Sequence, residues 1–479
     1  MKKIVSILAL WVLAAAAVQA KVELPPVLSD NMVLQQKQEV ALWGKATGKK
    51  VTITATWTKK KTVVRPEADG NWFVRIPTPA AGGPYEITFN DGEKLTLKNV
   101  LIGEVWYCGG QSNMDMPVKG FEAQPVEHST EYILRAKPSV PIRICKVPNT
   151  KSKTPLPKVE AFWVENKPEE VMNASATGYF FAQKLYEMLE VPIGIITVDW
   201  GGSSIESWMS RELLEREFPG EFDTALLDTA PLEDLKGSLH PCILYNGMVE
   251  ALAPFTFKGM IWYQGETNRG RWEQYTRLQP AYVKMMRELF QNPDAPFYFV
   301  QIAPYTYQPQ YKDLFTSGYF CEAQEKTLAL IPHSGMVTTT DIGSYSTIHP
   351  PKKMEVGNRL AYLALVKDYG FKGINPVAPT YKSVEFSGEE AIVTFEVDRL
   401  GIGPMNTDLG GFELAGEDRV FHPAIGRLKN KKVVVTSPEV TAPVALRYCF
   451  RNWCVGSVFS AWGIPAGPFR TDDWNDIKQ

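Results

Sequence analysis

Residues 99–117 read Asn-Val-Leu-Ile-Gly-Glu-Val-Trp-Tyr-Cys-Gly-Gly-Gln-Ser-Asn-Met-Asp-Met-Pro. Residues 100–107 are short, apolar, rich in β-formers and closed by glycines, which predicts a buried strand. Gly109 and Gly110 allow a sharp turn and a close backbone approach to a ligand. Ser112 follows directly, at the carboxyl end of that strand, the edge at which open α/β sheets bind ligands. A Ser-Asn pair in this position also closes a turn through its side-chain hydrogen bonds. Ser112 therefore has to be judged with the rest of the chain.

The chain has 479 residues, enough for roughly two or three domains. Its 44% hydrophobic and 22% charged content suits a globular protein with a large core. A formal charge of −2 gives no general attraction to nucleic acid or anionic membrane, so neither is expected as a partner. Lys2 and Lys3, an apolar stretch over 4–18 and the small-residue site Val18-Gln19-Ala20 predict a cleaved signal peptide over residues 1–20. The mature protein is accordingly expected to be secreted or periplasmic. The cleavage region has no cysteine to carry a lipid anchor, and no later segment is apolar for long enough to span a bilayer. Six cysteines are few for this length and none has zinc-ligand spacing, so no metal and no cofactor are expected. Cys449 and Cys454 are the nearest pair.

Residues 21–99 read as an N-terminal β-rich domain, with alternation at Val51, Ile53, Ala55 and Trp57. Asp69-Gly70 and Asp91-Gly92 have the form of hairpin turns. Trp43, Trp57 and Trp72 fit either a sugar platform or the core of this module, and the core is the commoner use. From 100 to 372 strands alternate with helices, the pattern of a parallel α/β sheet. Helices are expected over 176–189, 272–290, 321–330 and 351–369, and strands over 193–199, 257–263, 297–302 and 336–340. Residues 373–479 return to β character, with strands at 391–397, 432–436 and 444–450. The fold class is thus α/β, a parallel sheet flanked by helices between two β-rich regions.

Nucleophilic serine chemistry needs a base, a group that orients the base, and donors for the developing oxyanion. Of five histidines, His349 lies in a loop after one strand and before a helix, again at a strand's carboxyl end. His240 in Leu-His-Pro241 competes with it, while His422 falls in the C-terminal β region and His128 in a polar loop. Trp-Gly-Gly-Ser-Ser-Ile-Glu-Ser-Trp208 supplies a Gly-rich turn after a strand. Ile-Trp-Tyr-Gln-Gly-Glu-Thr-Asn268 ends another strand with the amides Gln264 and Asn268 and the carboxylate Glu266.

Together, Gly-Gln-Ser-Asn-Met114, the Trp200–Trp208 turn, Trp-Tyr-Gln-Gly-Glu-Thr-Asn268 and Ile-His-Pro350 resemble the four blocks of SGNH (GDSL-like) hydrolases. More narrowly they resemble the sialate O-acetylesterase family. The likeness continues through Leu-Tyr-Asn-Gly-Met-Val249 and Gly-Pro-Phe-Arg-Thr-Asp-Asp-Trp474, and so covers most of the mature chain. It implies an SGNH-like sheet in which Ser112 attacks an acetyl ester and His349 serves as base. The Ser112 N–H, a glycine N–H (Gly202 in preference to Gly201) and a third-block amide would hold the oxyanion, with Gln264 slightly preferred over Asn268. Many SGNH enzymes carry an aspartate three residues before the histidine, where this chain has Ser346. Asp341 is the nearest acid and the candidate to orient His349, the alternative being a backbone carbonyl and a Ser–His dyad. Gln111, Glu206, Trp208, Glu266 and Arg269 flank these blocks as candidate substrate contacts, which packing or salt bridging would explain equally well.

The resemblance implies removal of O-acetyl groups from sialic acid, or the same chemistry on acetylated xylan or another glycan. A glycan-binding protein on an inactive hydrolase scaffold is the reading from another class. It has no use for Ser112, His349 and the third-block amides together.

Overall fold

A computed structural model describes residues 21–475, and the expected signal peptide lies outside the described residues. The apolar run at 100–107 is the second half of a longer strand, Lys94–Gly110. Its first half pairs with Gly82–Asn90 through the Asp91-Gly92 hairpin, Asn90 standing opposite Lys94. Val33–Gln35 runs parallel beside Leu101, Ile102 and Gly103. The junction expected between residues 99 and 100 therefore falls inside one strand, at an irregularity where Asn99 takes a left-handed φ of 55° and the register with Gly82–Asn90 shifts. Asp69-Gly70 does not close a hairpin: the strand after it, Asn71–Pro77, pairs with Glu39–Lys45 and not with Lys61–Val64.

Beyond Gly103 the same strand becomes the middle of a parallel sheet. The order across that sheet is Ser334–Val337, Phe297–Val300, Gly259–Tyr263, Lys94–Gly110, Ile193–Asp199, Ile142–Lys146 and Trp163–Glu165. Only the last pair is antiparallel. Side chains alternate between its two faces, as the period of a strand requires. Trp106 and Cys108 join the core under the helices Ala176–Leu189 and Lys353–Lys367, whereas Val105 and Tyr107 face the core that includes Tyr275, Tyr282 and Phe320. Both faces being covered explains why the run shows no alternation of apolar and polar residues. The two helices of the first face approach closely because Gly357 has no side chain; a Cβ there would lie 2.7 Å from the Phe181 nitrogen.

Helix limits depart from the expected ones where the cause is distant in sequence. The helix expected from residue 321 begins at Thr316, and the Ser317 N–H donates to Asn452 Oδ1 at 2.9 Å. The helix expected over 351–369 is Lys353–Lys367. In the C-terminal region a seven-stranded antiparallel sheet runs from Thr380–Ser387 at one edge to Phe469–Arg470 at the other. It docks through Arg447, fully buried, which pairs with Asp472 at 2.7 Å and stacks on Phe315, Phe421 and Phe450. Trp72 is buried in the N-terminal core, and Trp43 packs on Phe255. The sulfurs of Cys449 and Cys454 lie 3.1 Å apart. Among the described residues no helix is long and apolar enough to cross a membrane.

Gly110 sits at φ 149°, and a Cβ on it would lie 2.1 Å from the Tyr263 carbonyl oxygen. Gly110→Ala is expected to destabilise the protein by on the order of 2 kcal/mol or more, through forced backbone displacement. Urea unfolding measures this; an unchanged midpoint would show that the strand end accepts a side chain.

Candidate active site

Gly110 stands level with Asp199 on one neighbouring strand and Tyr263 on the other. Three loops therefore leave the sheet side by side, at Gln111, Trp200 and Gln264. They are tied at once: the Gln111 N–H donates to the Tyr263 carbonyl at 2.9 Å, and the Trp200 N–H to the Gly110 carbonyl at 3.2 Å. The Gln111 side chain accepts from the N–H groups of Gly265 and Thr267, so it braces the third loop.

Ser112 opens the one-turn helix Ser112–Asp115 and is half-buried. Gly201 stands against it, since a Cβ there would lie 3.6 Å from Ser112 Cβ. Gly202 is exposed at φ 71°, a left-handed conformation suited to glycine. Among the described residues the backbone N–H groups of Ser112, Gly201 and Gly202 have no acceptor. They are unused donors on the turn carrying Ser112 and on the Gly-Gly turn that follows Trp200.

The loop that carries His349 reaches the Ser112 turn. Asn113, next to Ser112, donates to the carbonyl of Ile348, next to His349, at 3.1 Å. His349 Nδ1 lies 2.7 Å from Gln124 Oε1, which also accepts from Thr347 Oγ1 at 2.5 Å. The His349 N–H donates to Thr347 Oγ1 at 3.1 Å, and the Phe121 ring packs edge-on against the imidazole. Burial, and then the charge of Lys353, push the His349 imidazole down to about 4, with Asp115 opposing. Asp341 is not its partner: both carboxylate oxygens are held by Arg359, at 2.8 and 2.6 Å. That pairing draws the acid away from the histidine loop and toward the helix Lys353–Lys367. His240 is buried, with Nδ1 2.9 Å from the Pro241 carbonyl.

The two third-block amides differ in what they have left to give. Gln264 is fully buried and spends both N–H groups, on the Ser203 carbonyl and on Asn268 Oδ1, while its oxygen accepts from Tyr275. Asn268 donates one N–H to Glu206 Oε2 at 2.9 Å and keeps the other. The hydrogens of Gln264, the slightly preferred oxyanion donor, are thus engaged in holding the loops together, and Asn268 is as fully buried. Glu206 also carries an ion pair with Arg271 at 2.6 Å. Trp208 is a core residue, donating to Ser203 Oγ and packing edge-on to Trp262, and does not face a ligand. Glu266 is buried, accepts from Asn113 at 2.6 Å, and has its carboxyl pushed up by burial. The Arg269 guanidinium stacks on the Tyr307 ring.

Several residues of this site carried no usable signal. Gln124 lies in a loop without a motif, and only the fold brings it to His349. Asn113 was visible beside Ser112 but reads as a turn residue. Lys353 looks like any basic residue near a helix start. Asp199 ends its strand fully buried; burial, and then the charge of Asp115, hold its carboxyl well above the usual carboxylate range.

Residues 102–365 match the family model described as carbohydrate esterase, sialic acid-specific acetylesterase. The human sialate O-acetylesterase is 28% identical over 402 residues, covering 76% of this chain and 75% of that protein. The mouse sialate O-acetylesterase is 26% identical over 432 residues, covering 78% of each. The crystal structure of a carbohydrate acetylesterase from Xanthomonas citri superposes with a TM-score of 0.84 at 33% identity, covering 95% of this chain and all of that one.

The geometry around His349 is testable without a substrate. In Gln124→Glu a carboxylate beside Nδ1 favours the imidazolium, so the NMR titration of His349 is expected to move up from about 4. Asp341→Asn is expected to leave that titration in place while costing about 3 kcal/mol of stability, by stranding a largely buried Arg359. A His349 titration that follows Asp341 and ignores Gln124 would reverse the two roles.

Proposed function

Because the chain belongs to the sialic acid-specific acetylesterase family of carbohydrate esterases, and is a carboxylic ester hydrolase, we propose that it removes O-acetyl groups from sialic acid with Ser112 as nucleophile. The observation that carries this reading is the meeting of a half-buried Ser112, unused N–H donors at Ser112 and Gly202, and the imidazole loop of His349.

The Gln124 amide oxygen accepts from His349 Nδ1–H, which leaves the Nε2 lone pair free to take a proton. Ser112 Oγ attacks the acetyl carbonyl carbon as its proton passes to Nε2. The negative oxygen is received by the Ser112 and Gly202 N–H groups and the remaining Asn268 N–H. Loss of one such donor typically costs on the order of 10²–10³ in turnover. The Nε2 proton then moves to the departing sugar oxygen as the C–O bond breaks, leaving an acetyl-enzyme. Water attacks that ester with the same nitrogen as base, releasing acetate and restoring Ser112. A base with its pKa near 4 is already unprotonated in mildly acidic medium, so activity rises as pH rises through about 4.

A broader glycan substrate is the second reading, favoured by the similarity to the Xanthomonas citri carbohydrate acetylesterase, which aligns over nearly the whole chain. The signal-like residues 1–20 support export to the periplasm or the medium.

Acetate release from 9-O-acetylated sialic acid by the mature protein is the test. Ser112→Ala and His349→Ala are each expected to lower it by on the order of 10³-fold or more. Release from acetylated xylan but not from the sialic acid would move the assignment to the broader reading. Full activity in Ser112→Ala would remove the serine mechanism.

A further inference from the structure

Lys353 lies in the first turn of its helix, four residues after His349, and is fully buried. Its ammonium donates to Asn113 Oδ1 at 2.5 Å and sits over the Tyr263 ring. The other end of the Asn113 amide donates to Glu266 Oε1 at 2.6 Å and to the Ile348 carbonyl at 3.1 Å. One asparagine thus joins the turn carrying Ser112, the loop after Gly259–Tyr263 and the loop carrying His349, and Lys353 holds its oxygen. Taking an ammonium out of water costs several kcal/mol unless it is paired, and a methionine would fill the same volume without that cost. Packing alone gives no reason for a charge at this point.

We propose that Lys353 is a positioning residue for the esterase reaction: through Asn113 it locks the Ser112 turn to the His349 loop. The proposal rests on the serine mechanism above. The charged groups facing His349 are Asp115, on the turn after Ser112, and Lys353; Gln124 and Thr347 are neutral. Asp115 is engaged by Lys146 at 3.1 Å. Lys353 in turn faces Glu266, whose charge opposes the burial that pushes the ammonium down to about 7. Across the acid range in which His349 titrates, Lys353 therefore carries its proton and acts on His349 as a like charge.

Lys353→Met and Lys353→Arg, assayed on an aryl acetate across the acid limb of kcat/KM, test this. In Lys353→Met kcat is expected to fall on the order of 10²-fold with KM little changed, from the misplaced nucleophile. Its acid limb should move to higher pH by on the order of half a unit or more, because a like charge has been removed. Lys353→Arg should keep the acid limb where the wild type has it. An acid limb unmoved in a folded Lys353→Met protein would leave Lys353 a purely structural role and overturn the proposal. If the methionine variant fails to fold, Asn113→Asp takes its place: it keeps the acceptor for Lys353 but loses the donor to Glu266 and Ile348. A fall in its kcat without a change in KM supports the lock, and a wild-type kcat overturns it. Activity surviving in Ser112→Ala would instead defeat the underlying mechanism, a result that neither Lys353 variant can mimic.

Discussion

The register that sets Gly110 between Asp199 and Tyr263 is the constraint on which the site depends. Only a residue without a side chain lets the Tyr263 carbonyl come so near the strand end. With that contact made, the loops bearing Ser112, the Gly201-Gly202 pair and the third-block amides start from one row of the sheet. Their relative positions then follow from a few short hydrogen bonds rather than from long flexible connections. The same strand is anchored at its far end in the N-terminal sheet, so its carboxyl end cannot slide without unpairing Lys94 from Asn90.

Burial sets the protonation of this region. It pushes the Asp199 and Glu266 carboxyls up and the His349 imidazole down, each shift acting against the charged form. The neutral amide of Gln124 at Nδ1 orients the imidazole without supplying a negative charge to raise it again. An imidazole free of its proton over a wide pH range results. The C-terminal region steadies the same end of the sheet. Asn452 receives the first turn of the helix Thr316–Leu330, and Trp453 packs edge-on against Tyr345 in the histidine loop.

The sequence made the central sheet legible because its strands are short apolar runs closed by glycine, and its helices carry regular apolar spacing. The four loops at strand ends were legible for the same reason: each carries polar residues where a buried strand stops. The internal economy of those loops was not. Nothing in the order of residues tells that Arg359, one helix away, takes Asp341, or that Gln264 spends its hydrogens on Ser203 and Asn268. Trp208 reads as a candidate substrate contact until its indole is found against Trp262 in the core. The strand through residues 99 and 100 was hidden because Asn99, left-handed at φ 55°, bends the backbone at a register shift without ending the strand.

In the proposed reaction Ser112 is the nucleophile and His349 its base. Labelling with diethyl 4-nitrophenyl phosphate, followed by peptide mapping, reads both at once. Phosphorylation confined to Ser112, at a rate that rises with pH through about 4, is the expected result. A label on another residue, or a rate at Ser112 indifferent to the loss of His349, would contradict it.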